Sequence, residues 1–290
     1  YIKTYLQDKN IVEYDEKYIH TWPLHPYQYL AEIIKKRRWD KLNIGLEMDS
    51  HYFTAFCYET IKNNLPNAKL KDAERLVNWV RVVKSNKEIR LIQSAARIVE
   101  SAMKTAFKCI NPGVRQCDAV ADIQKALFNG TKEFGGDYPS IATLLPTGKG
   151  TSAAHLTHTD EKFVSGEATI IEIAGAYKRY HCPMARTVLL GEKNQKKIDT
   201  MKATNEALDV GIEATKPGNT VDDVAQKFWG VLDKYKIKKD SRTGYSIGIG
   251  YPPDWGEQTF NILKGDKTIL QPNVTFHMIA VMQFGDWGVE

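Results

Sequence analysis

The chain has 290 residues, 42% of them hydrophobic and 26% charged, with a net charge of +5 and an isoelectric point near 8.8. These are ordinary globular values, enough for a large core and one or two domains. Apolar runs of about six residues at most exclude a transmembrane helix, and Lys and Arg interleaved with acids argue against a nucleic-acid partner.

No signal peptide is visible, although Tyr1 is not a native start. Cys57, Cys109, Cys117 and Cys182 form no CxxC pair. Free thiols in a reducing cytoplasm are therefore expected.

Residues 1–80 read as a small α/β domain that begins mid-pattern. Tyr27 to Arg38 has helical spacing, with Tyr27, Leu30, Ile33 and Ile34 on one face. Asn43–Met48 reads as a strand, Phe53–Asn63 as a second helix and Ala68–Asp72 as a second strand. Leu76–Lys84 leads into a second domain, 81–290. Ser85 and Glu88 form a capping box, and the helix behind it carries Ile92, Ala95, Ala96, Val99, Met103, Ala106 and Ile110 as a buried stripe. Asn111-Pro112-Gly113 ends that helix. A helix over Gln116–Phe128, a Gly-rich loop and a strand over Ile141–Leu145 are expected next.

The pattern then repeats. Pro112-Gly113 with Asp118 returns as Pro217-Gly218 with Asp223, an offset of 105 that also places Ile141-Ala142 on Ser246-Ile247 and Glu172 on His277. Two such helix–helix–strand units imply a pseudo-symmetric domain, whose ligand site is expected where inward side chains of both halves converge.

Glu172 sits in the apolar strand Thr169–Gly175, and His277 in a similar run, Thr275–Ala280. A carboxylate in such a strand is costly unless paired. It either faces outward on an alternating strand or belongs with His277 to a shared site. His155 follows the small-residue loop Thr151–Ala154 and reads either as a surface histidine or as a ligand contact. His181, between Tyr180 and Cys182, reads as a packed core histidine or a contact. Gly244–Glu257, rich in Gly, Pro and aromatics, is expected to be a rigid loop presenting Tyr245, Asp254, Trp255 and Glu257. It lacks the Gly-Lys-Ser/Thr of a phosphate cradle.

The duplicated layout over about residues 85–290 resembles the pita-bread fold, an α/β (α+β) architecture shared by methionine aminopeptidases, Xaa-Pro peptidases and creatinase. The leading segment resembles the N-terminal domain of the creatinase and prolidase branch. In metallopeptidases of that clan two metals are held by two Asp, one His and two Glu. The resemblance carries the first Asp onto Glu172, the second onto Pro183, the His onto Tyr245 and the first Glu onto His277, with the last Glu just past Glu290. Proline, tyrosine and histidine at those positions speak against a dinuclear site, so no metal and no cofactor is expected.

A more specific resemblance is to the ectoine hydrolases of the clan. It is carried by Leu76–Arg81, Glu133–Pro139, Leu144–Gly148, Tyr180–Thr187 and Tyr251–Glu257. It implies opening of a cyclic amidine. Glu172 would attack the amidine carbon or direct a water onto it, and His155 or His277 would supply the leaving-group proton. Tyr245 and Glu257 would bind the tetrahedral centre or ring nitrogens, Trp255 would stack on the cationic ring, and His181 and Asp254 would complete the substrate contacts. The implied partners are a small-molecule substrate and a second copy of the chain, as a homodimer, with no nucleic acid and no membrane. Alternatives are an Xaa-Pro metallopeptidase, a creatinase-like amidinohydrolase and a non-catalytic binding module.

Overall fold

The computed structural model describes residues 7–191 and 193–290. The chain divides into two compact units, Tyr1–Leu76 and Val77–Glu290. In the first, α1 (Pro26–Lys36), β1 (Asn43–Leu46), α2 (Ala55–Asn64) and β2 (Lys69–Asp72) follow in order. Pro26 opens α1 with its fixed φ, and the His25 ring accepts the Tyr27 N–H. Helix α2 carries the crossover between β1 and β2, which pair in parallel. Ala31, Leu46, Ile61 and Leu65 close the small core.

The second unit holds the site. After α3 (Leu76–Arg81), α4 (Asn86–Cys109) starts at Ser85, whose hydroxyl accepts the Glu88 N–H while the Glu88 carboxylate accepts the Ser85 N–H. Of the expected stripe of α4, Ile92, Ala95, Val99, Met103 and Ala106 are buried, and Ala96 is half-buried. Helix α5 (Gln116–Asn129) is followed by β3 (Ala168–Tyr177) and β4 (Tyr180–Leu189), a ten-residue hairpin in continuous register. Then come α6 (Gln195–Ala214), α7 (Val221–Lys234), β5 (Gly244–Tyr251), β6 (Asp254–Asn261), β7 (Phe276–Met278), β8 (Met282–Phe284) and β9 (Trp287–Val289). Strands β3-β4-β5-β6 form one sheet in that order, with β7 also on β5. Among the described residues no helix is long and apolar enough to cross a membrane.

The internal repeat is physical. Gly113 and Gly218 both have left-handed φ, near +89° and +94°, which a Cβ would strain. Gly113 donates its N–H to Phe163 O at 2.8 Å, and Gly218 donates to Leu270 O at 2.9 Å. Each half then has its own apolar core, α4 and α5 against β3 and β4, and α6 and α7 against Phe260, Ile262 and Met282.

Two expectations change. Ile141–Leu145 is not a continuous strand; it meets β3 through single bridges, Leu144 to Glu172 and Thr147 to Thr169. Pro146 between them has no N–H to donate. Gly244–Glu257 is not a loop but the greater part of the β5–β6 hairpin, turning at Pro252-Pro253. Its glycines mark close approaches: a Cβ on Gly248 would fall 2.1 Å from a Glu257 carboxylate oxygen.

Candidate active site

Strand alternation fixes where Glu172 points. Ile171 and Ile173 pair with Arg186 and Met184 and pack toward α4 in the first core. Ile170, Glu172 and Ala174, paired with Thr187, Ala185 and Pro183, occupy the opposite face of the hairpin. There Glu172 is 4% exposed. It lines a small, partly enclosed crevice with Pro146, His155, Ile170, Ile279 and Glu290. Burial pushes the Glu172 carboxyl up to about 7, opposed by the charge of Arg242.

His155 forms the lip. It is exposed and has a left-handed φ of 62°. The short helical turn before it is tied down by Thr151, whose hydroxyl donates to Gly148 O at 2.7 Å and accepts the Gly288 N–H at 2.9 Å. At Gly288 a Cβ would lie 2.2 Å from Thr151 O, so only glycine lets β9 and this loop meet so closely.

Sequence reasoning missed Glu290 as a member of the site, having looked for a carboxylate just beyond it. Thr187 on β4 donates its hydroxyl to Glu290 O at 2.8 Å and accepts the Glu290 N–H at 2.7 Å. That double contact holds the end of β9 beside Ile170 and Glu172. Burial, and then the Glu172 charge, push the Glu290 carboxyl well above the usual carboxylate range, while Lys239 opposes the shift. The available signal was the pattern Trp287-Gly288-Val289-Glu290, a short apolar strand ending in an acid, like the setting of Glu172.

Tyr245, Trp255 and His277 form a second, buried group. Trp255 donates its indole N–H to the Tyr245 hydroxyl at 2.7 Å, and that hydroxyl lies 3.1 Å from His277 Nδ1. Indole can only donate, so the phenol's own proton is free for Nδ1. Burial pulls His277 down to about 3, assisted by Arg186 and Arg242, and pushes the Tyr245 phenol far up. The imidazole is therefore neutral near pH 7. This corrects His277 as a source of an imidazolium proton: it supports the Tyr245 hydroxyl. Trp255 is also corrected as a stacking platform, because its indole is wholly buried against Tyr245, Ile247 and Ile279.

Three further expected contacts are engaged elsewhere. Glu257 forms a buried ion pair with Lys84 at 2.5 Å, and its backbone carbonyl accepts from Asn78 at 2.8 Å. It ties the segment before α4 to β6. His181 accepts the Ser140 N–H at Nε2 and lies 3.0 Å from Arg179 O through Nδ1. Both ring nitrogens are used, and burial lowers its pKa to about 4. Asp254 accepts from Gly256 N–H and the Gln258 amide, capping its own hairpin turn. None of the three lines the Glu172 crevice.

The donor set does not fit the paired-metal arrangement of the clan's metallopeptidases. Pro183 offers no side-chain donor and Tyr245 is a buried, protonated phenol. No group of three His, Cys, Asp or Glu among the described residues is placed to hold a metal ion.

Comparison with known proteins agrees with this architecture. The profile of metallopeptidase family M24 matches residues 90–290, and that of the creatinase/prolidase N-terminal domain matches residues 3–83. An ectoine hydrolase from Halomonas elongata is 41% identical, over 99% of this chain and 73% of its own length. An uncharacterised hydrolase/peptidase from Sinorhizobium fredii is 35% identical, over 99% and 74%. Among solved structures, a prolidase from Thermococcus sibiricus superposes with a TM-score of 0.80 at 20% identity, over 91% of this chain and 70% of that one. The prolidase from Pyrococcus furiosus gives 0.77 at 21%, over 90% and 74%. At such identities the structures establish the pita-bread fold alone. The family profile and the 41% identical relative together place the chain: it belongs to metallopeptidase family M24 and is a hydrolase similar to ectoine hydrolase.

Proposed function

We propose that this hydrolase opens the cyclic amidine ring of ectoine, without a metal, to give an N-acetylated 2,4-diaminobutyrate. The observation that carries the reading is Glu172, a buried carboxylate aimed into an apolar crevice whose other polar residues cannot assemble a metal pair. The likeness to an ectoine hydrolase supplies the substrate class.

In the reaction, one water is added overall. The Glu172 carboxylate attacks the amidine carbon, or draws a proton from a water that attacks it, forming a tetrahedral centre. Where water attacks, the bond from that carbon to one ring nitrogen breaks, the nitrogen leaves with a proton, and the carbon keeps the water's oxygen as an amide carbonyl. Where Glu172 attacks, the same C–N cleavage leaves the carbon esterified to Glu172 as an acyl imidate; a water then adds to that carbon, expels the Glu172 carboxylate and supplies the amide oxygen. A cationic amidinium beside Glu172 favours the ionised carboxylate and offsets the upward shift from burial. His155, at the exposed lip, delivers the leaving-group proton. The enclosed recess takes the reacting end of the ring, and the remainder lies across the Ala153–His155 lip.

Mass-spectrometric detection of the ring-opened product from ectoine tests the activity. Turnover of an Xaa-Pro dipeptide with no action on ectoine would replace it with the peptidase reading. Tightly bound transition metal at about one ion per chain, with chelator-sensitive activity, would overturn the metal-free step. The same reading includes a homodimer in a reducing cytoplasm, consistent with four free cysteines; light scattering measures the oligomeric state.

A further inference from the structure

The sheet face that carries Glu172 also carries a cation that the chemistry above does not use. Asn261, Tyr245 and His277 are cross-strand neighbours on β6, β5 and β7, so their side chains share one face. It is the face of Glu172, because Tyr245 belongs to one apolar cluster with Ala174, two residues along β3 from Glu172 and on the same side. Arg242, just before β5, reaches over this row. Its guanidinium lies 4.4 Å from the centre of the Tyr245 ring, and Nη1 donates to Asn261 Oδ1 at 2.7 Å. Both partners are neutral. Among the described residues no carboxylate forms an ion pair with Arg242, although its charge reaches Glu172 and His277.

An exposed arginine needs no partner other than water, but most such side chains have no fixed direction. Arg242 is exposed and yet held, by the aromatic ring beneath it and by the Asn261 amide. A guanidinium fixed in this way keeps further N–H donors in a planar fork, the geometry that matches a carboxylate. The face is therefore dipolar, with the Glu172 carboxylate buried and the Arg242 guanidinium at the surface. The complementary ligand is a zwitterion whose cationic end goes inward and whose acid stays outward. Ectoine has that form: its ring is an amidinium, and its carboxylate sits on the ring carbon beside one amidine nitrogen. Brought near buried Glu172 with no cation at hand, that carboxylate would be repelled.

We propose that Arg242, oriented by Tyr245 and Asn261, binds the carboxylate of the substrate and so selects amidines that carry an acid group. This rests on the amidine-hydrolysis reading for the identity of the substrate, but its test does not require turnover. Ectoine and the methyl tetrahydropyrimidinium cation, which is the ectoine ring without its carboxylate, are titrated separately into the full chain by calorimetry. The Glu172→Gln background prevents hydrolysis during the titration. It is compared with the same background carrying Arg242→Met or Arg242→Lys, with thermal melting to confirm folding.

With Arg242 present, ectoine should bind about tenfold or more tightly than the carboxylate-free ring, as befits a charge-assisted hydrogen bond. Arg242→Met should abolish that preference by weakening ectoine alone, since the carboxylate-free cation loses nothing when a like charge is removed. Arg242→Lys, which keeps the charge without the fork, should retain part of it. In chains with Glu172 intact, the KM for ectoine should rise in the same order. Absence of ectoine binding, absence of the preference, or a preference that survives Arg242→Met overturns the proposal. An Arg242-dependent preference in a protein whose wild type leaves ectoine intact upholds the carboxylate subsite and rejects ectoine hydrolysis. Ectoine turnover with a preference indifferent to Arg242 does the reverse.

Discussion

The two halves of the catalytic unit start from the same Pro-Gly turn and the same helix pair, yet treat their inward polar residues in opposite ways. In the first half, Glu172 enters a mainly apolar crevice and is held by burial, with no ion-pair partner among the described residues close enough to keep its carboxyl in the usual range. In the second half, the symmetry-related His277 meets Tyr245, which meets Trp255, and the group is closed on itself. A buried polar group whose partners are complete is scaffold. One whose partners are missing is where a ligand or a reaction can supply them.

The largest effect that can test this contrast is on Glu172. Glu172→Gln keeps the shape and removes the nucleophile or base, so kcat for ectoine should fall by about a thousandfold or more. Its thermal midpoint should hold or rise, because an uncompensated buried carboxyl is gone. Near-wild-type turnover would end the assignment of Glu172 to chemistry.

The Lys84–Glu257 pair tests the opposite behaviour. Lys84→Met leaves the Glu257 carboxyl buried without its cation, and should cost about 3 kcal/mol or more in urea unfolding. The double variant Lys84→Met/Glu257→Leu should recover most of that loss. If the single and double variants are equally unstable, the pair is not acting as one desolvated unit.

Tyr245→Phe should have a smaller effect, about 1–2 kcal/mol, because it strands the Trp255 N–H inside the core. Ectoine binding should change little if this triad is support, whereas a loss of about tenfold or more would return Tyr245 to the substrate contacts. Tyr245→Phe and Glu172→Gln, measured in parallel, separate the closed group from the open one.

Much of this was legible in the chain. The Ser85–Glu88 box, the stripe of α4 and the Pro-Gly repeat are local signals, and they specify local structure. Glu172 was legible because a carboxylate among Ile170, Ile171 and Ile173 conflicts with its surroundings. What stayed hidden depends on pairing across the fold. Nothing near Trp255 in sequence says that its N–H meets the Tyr245 hydroxyl ten residues earlier on a neighbouring strand. Nothing near Glu257 points to Lys84, 173 positions away. Glu290 is brought to Glu172 by Thr187, and that contact exists only once β9 is docked. Gly244–Glu257 read as a loop because its glycines suggest turns, although at Gly244 and Gly248 they are positions where neighbouring atoms come too close for a Cβ.

The remaining test concerns His181, and it requires a difference measurement. Its folded pKa is about 4, whereas an unfolded histidine titrates near 6.5. Between those values the unfolded chain binds the proton and the folded chain does not, so stability from this group is complete above pH 6.5 and is lost as pH falls toward 4. His277, also depressed, acts in the same direction. Glu172 acts against both: with a folded pKa near 7 it takes up a proton in the folded state first, which favours folding on acidification. The wild-type pH profile mixes these contributions, and its slope alone identifies none of them. His181→Gln retains an acceptor for the Ser140 N–H and removes one titration. It should be less stable than wild type at pH 7.5, and the gap should narrow by about 2 kcal/mol at pH 4.5. A gap that stays constant between the two pH values would mean that His181 is not held neutral by the fold, and would reopen it as a group able to carry a proton.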